Sequence, residues 1–209
     1  MGINKYNFSH FFDYKIHASI EKESFKKNYK KFAIPIQNHT SNVKFITKPG
    51  KYDNVDGLIT SKKYDIILTT KVADCVPIYI YDLKNDLYGL IHSGWKGTKN
   101  HIIKNALEIF FNQADSDPKN IKIFIGPHIK ECCYEIDWDV AKYFSFVLKD
   151  ISKNKWMLSL EKEIKKDALE YGIYERNINT CNICTFESLD CESFRRDKNN
   201  AKRMLGIIG

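Results

Sequence analysis

The sequence TKVADCVPIYIYDLKNDLYGLIHSGWKGT, residues 70–98, contains two short apolar runs joined by a polar segment. The runs, 76–81 and 87–91, are rich in β-branched and aromatic residues, and Asp and Asn between them are typical of turns. The pattern predicts two neighbouring strands. Cys75 precedes the first strand and His92 follows the second, so an antiparallel hairpin would bring a thiol and an imidazole to one end of a sheet.

The segment after His92 is SGWKGT, residues 93–98, and a helical pattern of apolar residues follows at 102–110. Thr98 or a close neighbour is expected to cap this helix, whose N-terminus would then lie near His92. Two glycines beside Lys96 at a helix start would suit an anion. The alternative is a glycine-rich turn that only joins strand to helix.

The composition is that of a globular protein. The chain has 209 residues, of which 43% are hydrophobic and 28% charged, enough to bury a sizeable core. The net charge of +7 comes from lysines spread along the chain, which is typical of a solvated surface and not of a nucleic-acid track. We therefore expect no nucleic-acid partner, and the charge supports at most a small anionic substrate.

The compartment is expected to be the cytoplasm. Residues 1–17 contain no apolar run of signal-peptide length, and no later run is long enough to span a bilayer, so no membrane association is expected. The six cysteines are then expected to be reduced thiols and not a disulfide framework.

Strand and helix patterns are mixed along the chain. Helical spacing occurs at 20–32, 137–148 and 161–171, and strand-like runs occur at 43–47, 55–60, 65–70, 121–125 and 204–208. No repeat or linker divides the chain. The pattern favours one α+β domain spanning 1–209 over a doubly wound parallel sheet.

Three potential metal ligands, His39, Cys75 and His92, lie at the ends of strand-like segments. Two imidazoles and a thiolate suit Zn²⁺, and three protein ligands leave a fourth position for water or substrate. An open zinc ion lowers the pKa of its bound water to about 7 and polarises oxygen ligands. A purely structural role for each residue is the alternative.

Seven motifs occur in the order found in the laccase-domain family, also called the YfiH-type purine nucleoside phosphorylases and formerly multicopper polyphenol oxidases. They are QNHTSNV at 37–43, VDGLIT at 55–60, VADCVPIYIYD at 72–82, IHSGWKGT at 91–98, IGPHIKECCYEI at 125–136, CT at 184–185 and FRR at 194–196. The chain resembles this family from about residue 39 to 209. Residues 1–36 diverge, because the family's Gly-Val-Ser and Ser-Leu-Asn segment is missing there.

The resemblance implies a mixed β-sheet sandwich flanked by helices and a zinc site formed by His39, Cys75 and His92. It also implies phosphorolysis of adenosine, inosine and methylthioadenosine, with adenosine deamination as a companion reaction. Purine nucleosides and phosphate are the expected ligands, and the sequence leaves the oligomeric state open.

Further site residues are expected around this centre. Asp74 would orient a metal-bound water or a ligand histidine, or else cap a turn. Lys96 stands where the family usually has Arg and would offer phosphate a point charge. Arg195 and Arg196, with Arg203, could supply planar forks for phosphate, or form a basic surface. His128 and Cys133 lie in a family motif and would line the pocket or support it from behind.

Other interpretations stay open. A His-Cys-His set can hold copper, although a multicopper phenol oxidase needs further histidine clusters, and no His-x-His pair occurs in the chain. Cys75 and His92 could form a metal-free hydrolase dyad, which leaves His39 unexplained. A binding protein could also keep zinc for stability. A zinc site of Cys181, Cys184 and Cys191 lacks a fourth ligand.

Overall fold

The computed structural model describes residues 5–22, 29–152 and 154–209, and its strands fall into two large sheets and one small one. The strands are β1 Lys5–Asn7, β2 Ala18–Lys22, β3 Phe32–Ile36, β4 Val43–Phe45, β5 Gly50–Asp53, β6 Gly57–Ser61, β7 Ile67–Val72, β8 Val76–Asp82, β9 Leu87–Ser93, β10 Ile121–Ile125, β11 Glu135–Ile136, β12 Val147–Asp150, β13 Lys155–Leu158, β14 Ile178–Thr180 and β15 Met204–Ile208. The α-helices are α1 Trp95–Lys99, α2 Ile102–Ala114, α3 Trp138–Ala141, α4 Leu160–Glu170 and α5 Phe194–Asp197. Short 3₁₀ turns lie at Ser9–Phe12, Tyr29–Lys31, Lys62–Tyr64, Pro118–Asn120, Glu175–Asn177 and Lys198–Asn200.

The first sheet, which we call the outer sheet, has the strand order β1-β2-β15-β7-β3-β5. The second, the central sheet, has the order β14-β10-β8-β9-β6-β4, and the small sheet has the order β11-β13-β12. Both large sheets contain parallel and antiparallel pairs. This is the α+β, mixed-sheet sandwich that the sequence and the family resemblance predict; the assignment of 1–209 to one domain stays a prediction.

The central hairpin is formed by β8 and β9, which pair antiparallel with Pro77 opposite His92. Its turn is held by Asp82, whose carboxylate accepts hydrogen bonds from the backbone N–H groups of Lys84 and Asn85. Such an Asx arrangement is the reason Asp and Asn favour turns. The predicted hairpin is therefore confirmed.

The hairpin strands are buried on both faces because the central sheet is the middle layer. Tyr79 and Tyr81 of β8 pack toward the outer sheet, whereas Ile78 and Ile80 pack toward α2 and α4 on the other side. Successive side chains of a strand point to opposite faces, so a strand between two layers must be apolar throughout. The continuous run 76–81 reflects this position and makes the hairpin a rigid base for the residues at its ends.

The helix expected at 20–32 is wrong at both of its ends, the only parts of that range that the structure describes. Ala18–Lys22 and Phe32–Ile36 are both strands of the outer sheet, and residues 23–28 lie outside the described part of the chain. Apolar residues at the two ends of the predicted helix, Ile20 and Phe32, are instead buried as parts of strands. Tertiary packing has overridden a weak local preference.

The helix expected at 137–148 is also mostly wrong, since only Trp138–Ala141 is helical and Val147–Asp150 forms a strand of the small sheet. Antiparallel pairing with Lys155–Leu158 holds Val147–Asp150 in an extended conformation, although the local pattern predicts a helix up to residue 148. The helix expected at 161–171 is confirmed as Leu160–Glu170. No helix in the described ranges has the length and apolar character needed to cross a bilayer.

The helix predicted at 102–110 is confirmed as α2 Ile102–Ala114, but its N-cap is His101 and not Thr98, because a further short helix, α1, precedes it. Gly94 is the N-cap of the five-residue α1, so Thr98 lies inside it, and its hydroxyl donates to the Gly94 carbonyl oxygen. His101, in a left-handed conformation with φ of 55°, then separates α1 from α2. An N-terminus of so short a helix carries little of the dipole that an anion site needs.

Candidate metal centre

Three side chains converge where the central hairpin ends. Cys75 directly precedes β8, His92 is the second-to-last residue of β9 and lies opposite Pro77, and His39 lies in the loop after β3. One ligand atom from each lies within 4.8 Å of the other two. Cys75 Sγ is 3.9 Å from His39 Nε2, and the two imidazole centroids are 4.9 Å apart. Burial increases from the exposed His39 through the half-buried Cys75 to the buried His92, so the cluster opens to one side.

Gly94 makes room for this cluster. A Cβ atom at that position would lie 3.0 Å from Cys75 Sγ and 3.1 Å from His39 Cδ2, which is tighter than side chains normally pack. The absence of a side chain lets the thiol and the imidazole meet over the backbone at the start of α1. The space and the donor set fit a metal ion with two nitrogen ligands and one sulfur ligand.

Asp56 organises both histidines. Its Oδ1 accepts a hydrogen bond of 2.7 Å from His92 Nδ1, which leaves the other ring nitrogen, Nε2, facing Cys75. The same fully buried carboxylate accepts from the backbone N–H groups of Asn38, His39 and Thr40, and from the Thr40 hydroxyl. A carboxylate that fixes the tautomer of a ligand histidine is a common support in metal sites. This role was missed from the sequence, where an acidic residue inside the strand-like run 55–60 was the available signal.

The charges of the centre support one another. Burial alone would raise the pKa of Asp56, but hydrogen bonds from His92 and Thr40 bring it down to about 2. Burial would lower the pKa of His92, yet Asp56 and Cys75 raise it to about 9. Burial likewise opposes ionisation of Cys75, but His39 and His92 lower its pKa to about 6. Without metal the centre is thus a thiolate beside an imidazolium, and a metal ion would displace the imidazolium proton.

We expect iodoacetamide to alkylate Cys75 of the chelator-treated protein with a midpoint near pH 6, below the ordinary value for a thiol. Only the thiolate reacts, so the rate should rise with pH and level off above the midpoint. His39→Ala should move the midpoint upward because one hydrogen-bond donor is lost. Peptide mapping across pH 5–9 measures it, and a Cys75 midpoint above pH 8 would contradict the charge arrangement.

Two cavities meet at the centre. The first, of about 420 Å³, we call the basic cavity, and its lining is Pro35, Gln37, His39, Lys71, Ala73, Cys75, His92, Phe194 and Arg203. The second, of about 290 Å³, we call the aromatic cavity, and its lining is His39, Ala73, Asp74, Cys75, Trp95, Ile129, Tyr134, Leu160, Phe194 and Arg195. The residues common to both linings include His39 and Cys75, so the exposed side of the cluster faces both spaces.

Asp74 and Arg195 are brought to the aromatic cavity. Asp74 adopts a positive φ of 80°, and its carboxylate accepts hydrogen bonds from the Thr185 hydroxyl and the Arg195 backbone N–H. The Arg195 guanidinium lies 5.2 Å from the ring centre of Tyr134 and donates to the Glu135 carbonyl oxygen. Asp74 therefore holds the backbone that carries Arg195.

Other predicted site residues lie elsewhere. Arg196 donates to the carbonyl oxygens of four residues in one loop, Thr185, Phe186, Ser188 and Cys191, so its guanidinium fastens that loop.

His128 is buried next to the Gly126 carbonyl oxygen, and burial together with the charge of Lys130 lowers its pKa to about 4. Lys96 is exposed, with its amine 5.7 Å from the ring centre of Trp95. His128, Lys96 and Arg196 are not among the described residues that line either cavity.

Residues 17–209 match the model of a protein family described as multi-copper polyphenol oxidoreductase laccase. A purine nucleoside phosphorylase of Clostridium acetobutylicum is 35% identical over 159 residues, which are 73% of this chain but only 66% of that relative. A purine nucleoside phosphorylase of Staphylococcus epidermidis is 32% identical over 196 residues, 85% of this chain and 72% of the relative.

Two crystal structures share the fold. YlmD from Geobacillus stearothermophilus has a TM-score of 0.84 at 23% identity, covering 93% of this chain and 91% of its own. The hypothetical protein YfiH of Bacillus licheniformis has a TM-score of 0.82 at 23% identity, covering 94% and 93%. At this identity the likeness is one of architecture.

Proposed function

Because this chain belongs to the family described as multi-copper polyphenol oxidoreductase laccase, whose curated relatives here are named purine nucleoside phosphorylases, we propose that it is a zinc-dependent purine nucleoside phosphorylase. The observation that carries the proposal is the cluster of His39, Cys75 and His92 facing two cavities of different character. The substrates proposed are adenosine, inosine and methylthioadenosine, and adenosine deamination is proposed as a companion activity.

His39, Cys75 and His92 would hold the zinc ion. Two imidazole nitrogens and a thiolate are ligands that Zn²⁺ prefers, and three of them leave one coordination position for an oxygen ligand. When bound, zinc supplies a Lewis acid that stabilises negative charge on such an oxygen. Asp56 would keep His92 in the tautomer whose free nitrogen faces the ion.

The aromatic cavity suits a purine base. Trp95, Tyr134 and Phe194 line it with flat apolar surfaces, and stacking on such side chains suits any purine. The basic cavity suits phosphate, since Lys71 and Arg203 carry positive charge there and Gln37 is polar. Ligands in the two cavities would meet beside His39 and Cys75, where the linings overlap.

The reaction proposed is a displacement at the ribose anomeric carbon. A phosphate oxygen forms a bond to C1′ while the bond from C1′ to N9 of the purine breaks with its electron pair on N9, and N9 takes up the proton that phosphate loses. Adenosine and phosphate then give adenine and ribose 1-phosphate. We propose that the guanidinium of Arg195, fixed through Asp74, lies against the ligand in the aromatic cavity.

The test is a nucleoside panel with zinc-loaded protein, run with and without phosphate and separated by chromatography. Adenine formed only with phosphate supports phosphorolysis, and inosine formed from adenosine without phosphate supports deamination. Unchanged adenosine, inosine and methylthioadenosine under all conditions, with zinc bound, would overturn the proposal and favour a binding protein.

The alternative activities have less support. A metal-free hydrolase dyad of Cys75 and His92 has no use for His39, which lies against the thiol, and its activity would survive chelation. A multicopper oxidase needs more histidine ligands. Among the described residues, His101 is instead paired with Asp167, and His128 with the Gly126 carbonyl oxygen.

We expect Arg203→Ala to raise the KM for phosphate roughly tenfold, since a charge-assisted hydrogen bond contributes about 1.5–3 kcal/mol. Lys202→Ala is the matched control, because Lys202 carries the same charge one residue away but lies outside the lining of both cavities. Lys96→Ala should also leave this KM within twofold. Initial rates at varied phosphate measure all three variants, and a KM that rises in Lys96→Ala but not in Arg203→Ala would move phosphate to α1.

A further inference from the structure

A second group of metal-binding side chains lies apart from the centre described above. One ligand atom each from Cys132, Cys133, Cys184 and Glu187 lies within 4.8 Å of the others. Cys132 and Cys133 follow β10 in the turn 126–134, whereas Cys184 and Glu187 lie in the loop 181–188 after β14. We call this group the cysteine cluster, and none of its members lines the basic or the aromatic cavity.

The two loops that carry the cluster are already joined by backbone contacts. His128 and Cys184 form an isolated β-bridge, and the Thr185 N–H donates to the His128 carbonyl oxygen at 3.1 Å. The Arg196 guanidinium donates to three carbonyl oxygens of the loop 181–188 and so fixes the conformation of that loop. The donor atoms are therefore brought together before any ion binds.

The environment of Cys184 is that of an anionic sulfur. The Lys130 backbone N–H donates to Cys184 Sγ at 3.5 Å, and the backbone N–H groups of Phe186 and Glu187 also donate to this sulfur. Several amide donors on one sulfur stabilise a thiolate, the form that binds metals. Because Cys184 is buried, an apolar residue at this position would fill the space equally well. The amide groups that donate to Cys184 Sγ would then have no acceptor.

Packing does not account for the rest of the cluster either. Cys132 and Glu187 are exposed, so their side chains add little to a core. The cluster therefore places three sulfurs and a carboxylate within 4.8 Å of one another without a packing reason.

We propose that Cys132, Cys133, Cys184 and Glu187 form a second metal site, which takes a thiophilic divalent cation such as Zn²⁺. Four protein ligands complete a tetrahedral shell, so this site would be structural, unlike the open centre at His39. The dimensions agree: Zn–S bonds of about 2.3 Å separate two tetrahedral sulfur ligands by roughly 3.8 Å. Cys132 Sγ and Cys133 Sγ, now 3.3 Å apart, need to separate only slightly.

The ion would stabilise one wall of the aromatic cavity. The turn 126–134 and the loop 181–188 both contact Asp74, through the Ile129 N–H to its carbonyl oxygen and the Thr185 hydroxyl to its carboxylate. A metal that ties the turn to the loop fixes Asp74 from two sides. The proposal concerns folding and metal content, and holds whichever reaction the centre catalyses.

The experiment is a zinc count on reduced protein that has been stripped with chelator, reloaded with excess zinc and desalted. We expect about two zinc ions per wild-type chain, about one in the double variant Cys132→Ser, Cys133→Ser, and about one in Cys75→Ala. Cys181→Ser is the matched control, because Cys181 lies in the same loop but outside the cluster, and it should keep two. Wild-type protein with one ion and Cys75→Ala with none would overturn the proposal.

A second readout needs no variant of the cluster. In wild-type protein and in Cys75→Ala, added zinc should slow iodoacetamide alkylation of the exposed Cys132 at least tenfold, as mapped by mass spectrometry. Cys181 should react at the same rate with and without zinc. Alkylation of Cys132 that zinc does not slow would also overturn the second site.

Discussion

Cys75→Ala is expected to abolish metal binding at the His39–Cys75–His92 centre and to lower the proposed phosphorolysis by roughly three orders of magnitude. The thiolate is the anionic member of the donor set, and two imidazoles alone bind zinc far more weakly. The metal's stabilisation of an oxygen ligand is worth several kcal/mol, and about 4 kcal/mol corresponds to a thousandfold in rate. Elemental analysis combined with single-turnover rates measures both effects.

The fold should survive this change. Cys75 is half-buried, and the hairpin that follows it is held by the layers packed on both of its faces rather than by the metal. We therefore expect the variant to unfold cooperatively within a few degrees of wild type. Cys181→Ala is the control for general thiol loss and should keep full activity. A folded Cys75→Ala protein with undiminished activity would show that the reaction lies elsewhere.

Asp56→Ala is expected to destabilise the protein by about 3–5 kcal/mol, the usual cost of removing one partner of a buried charged pair. The substitution leaves three backbone N–H groups of residues 38–40 and His92 Nδ1 without their acceptor. Zinc affinity should also fall by about 10–100-fold, the usual effect of losing such a supporting carboxylate. Urea unfolding of the chelator-treated protein measures the loss of stability, and competition with a zinc-binding dye measures the loss of zinc affinity.

The pH dependence gives Asp56 a signature of its own. Its folded pKa of about 2 lies below its ordinary value of 3.8, so its stabilisation is complete above about pH 4 and is lost as the pH falls toward 2. Asp56→Asn should flatten the stability curve in that window. Asp53→Asn, at an exposed position three residues earlier, should leave the curve unchanged. Equal curves for wild type and Asp56→Asn would show that this carboxylate is not ionised in the fold.

The hairpin and the meeting of its end residues could be predicted because they depend on local pattern. Two short apolar runs, 76–81 and 87–91, flank a segment rich in Asp and Asn, which predicts a hairpin, and Cys75 and His92 then share an end by geometry. The link from Asp56 to His92 spans 36 residues and is made by neighbouring strands β6 and β9, so no local pattern reports it. The outer-sheet strands Ala18–Lys22 and Phe32–Ile36 were missed partly for the same reason, since each pairs on one side with a strand far along the chain, β15 and β7 respectively.

Adjacent arginines show a second limit of sequence reasoning. Arg195 and Arg196 are equivalent as charges, yet one lines the aromatic cavity and the other binds the carbonyl oxygens of a loop. Neighbouring residues of a helix point about 100° apart, and α5 Phe194–Asp197 directs the two side chains to different surroundings. Their roles follow from the orientation of α5, which depends on its packing.

The three residues of the candidate metal centre are anchored to different degrees: two belong to the central sheet or adjoin it, and one lies in an exposed loop. Cys75 and His92 are attached to the central sheet, whose buried ladder opens only when the whole protein unfolds. His39 stands in an exposed loop with a left-handed backbone, φ of 57°, tied down by Asp56. Swinging this loop outward breaks a few hydrogen bonds and leaves the sheet intact. We therefore expect a bound metal ion to exchange through local opening of residues 38–40, faster than through global unfolding.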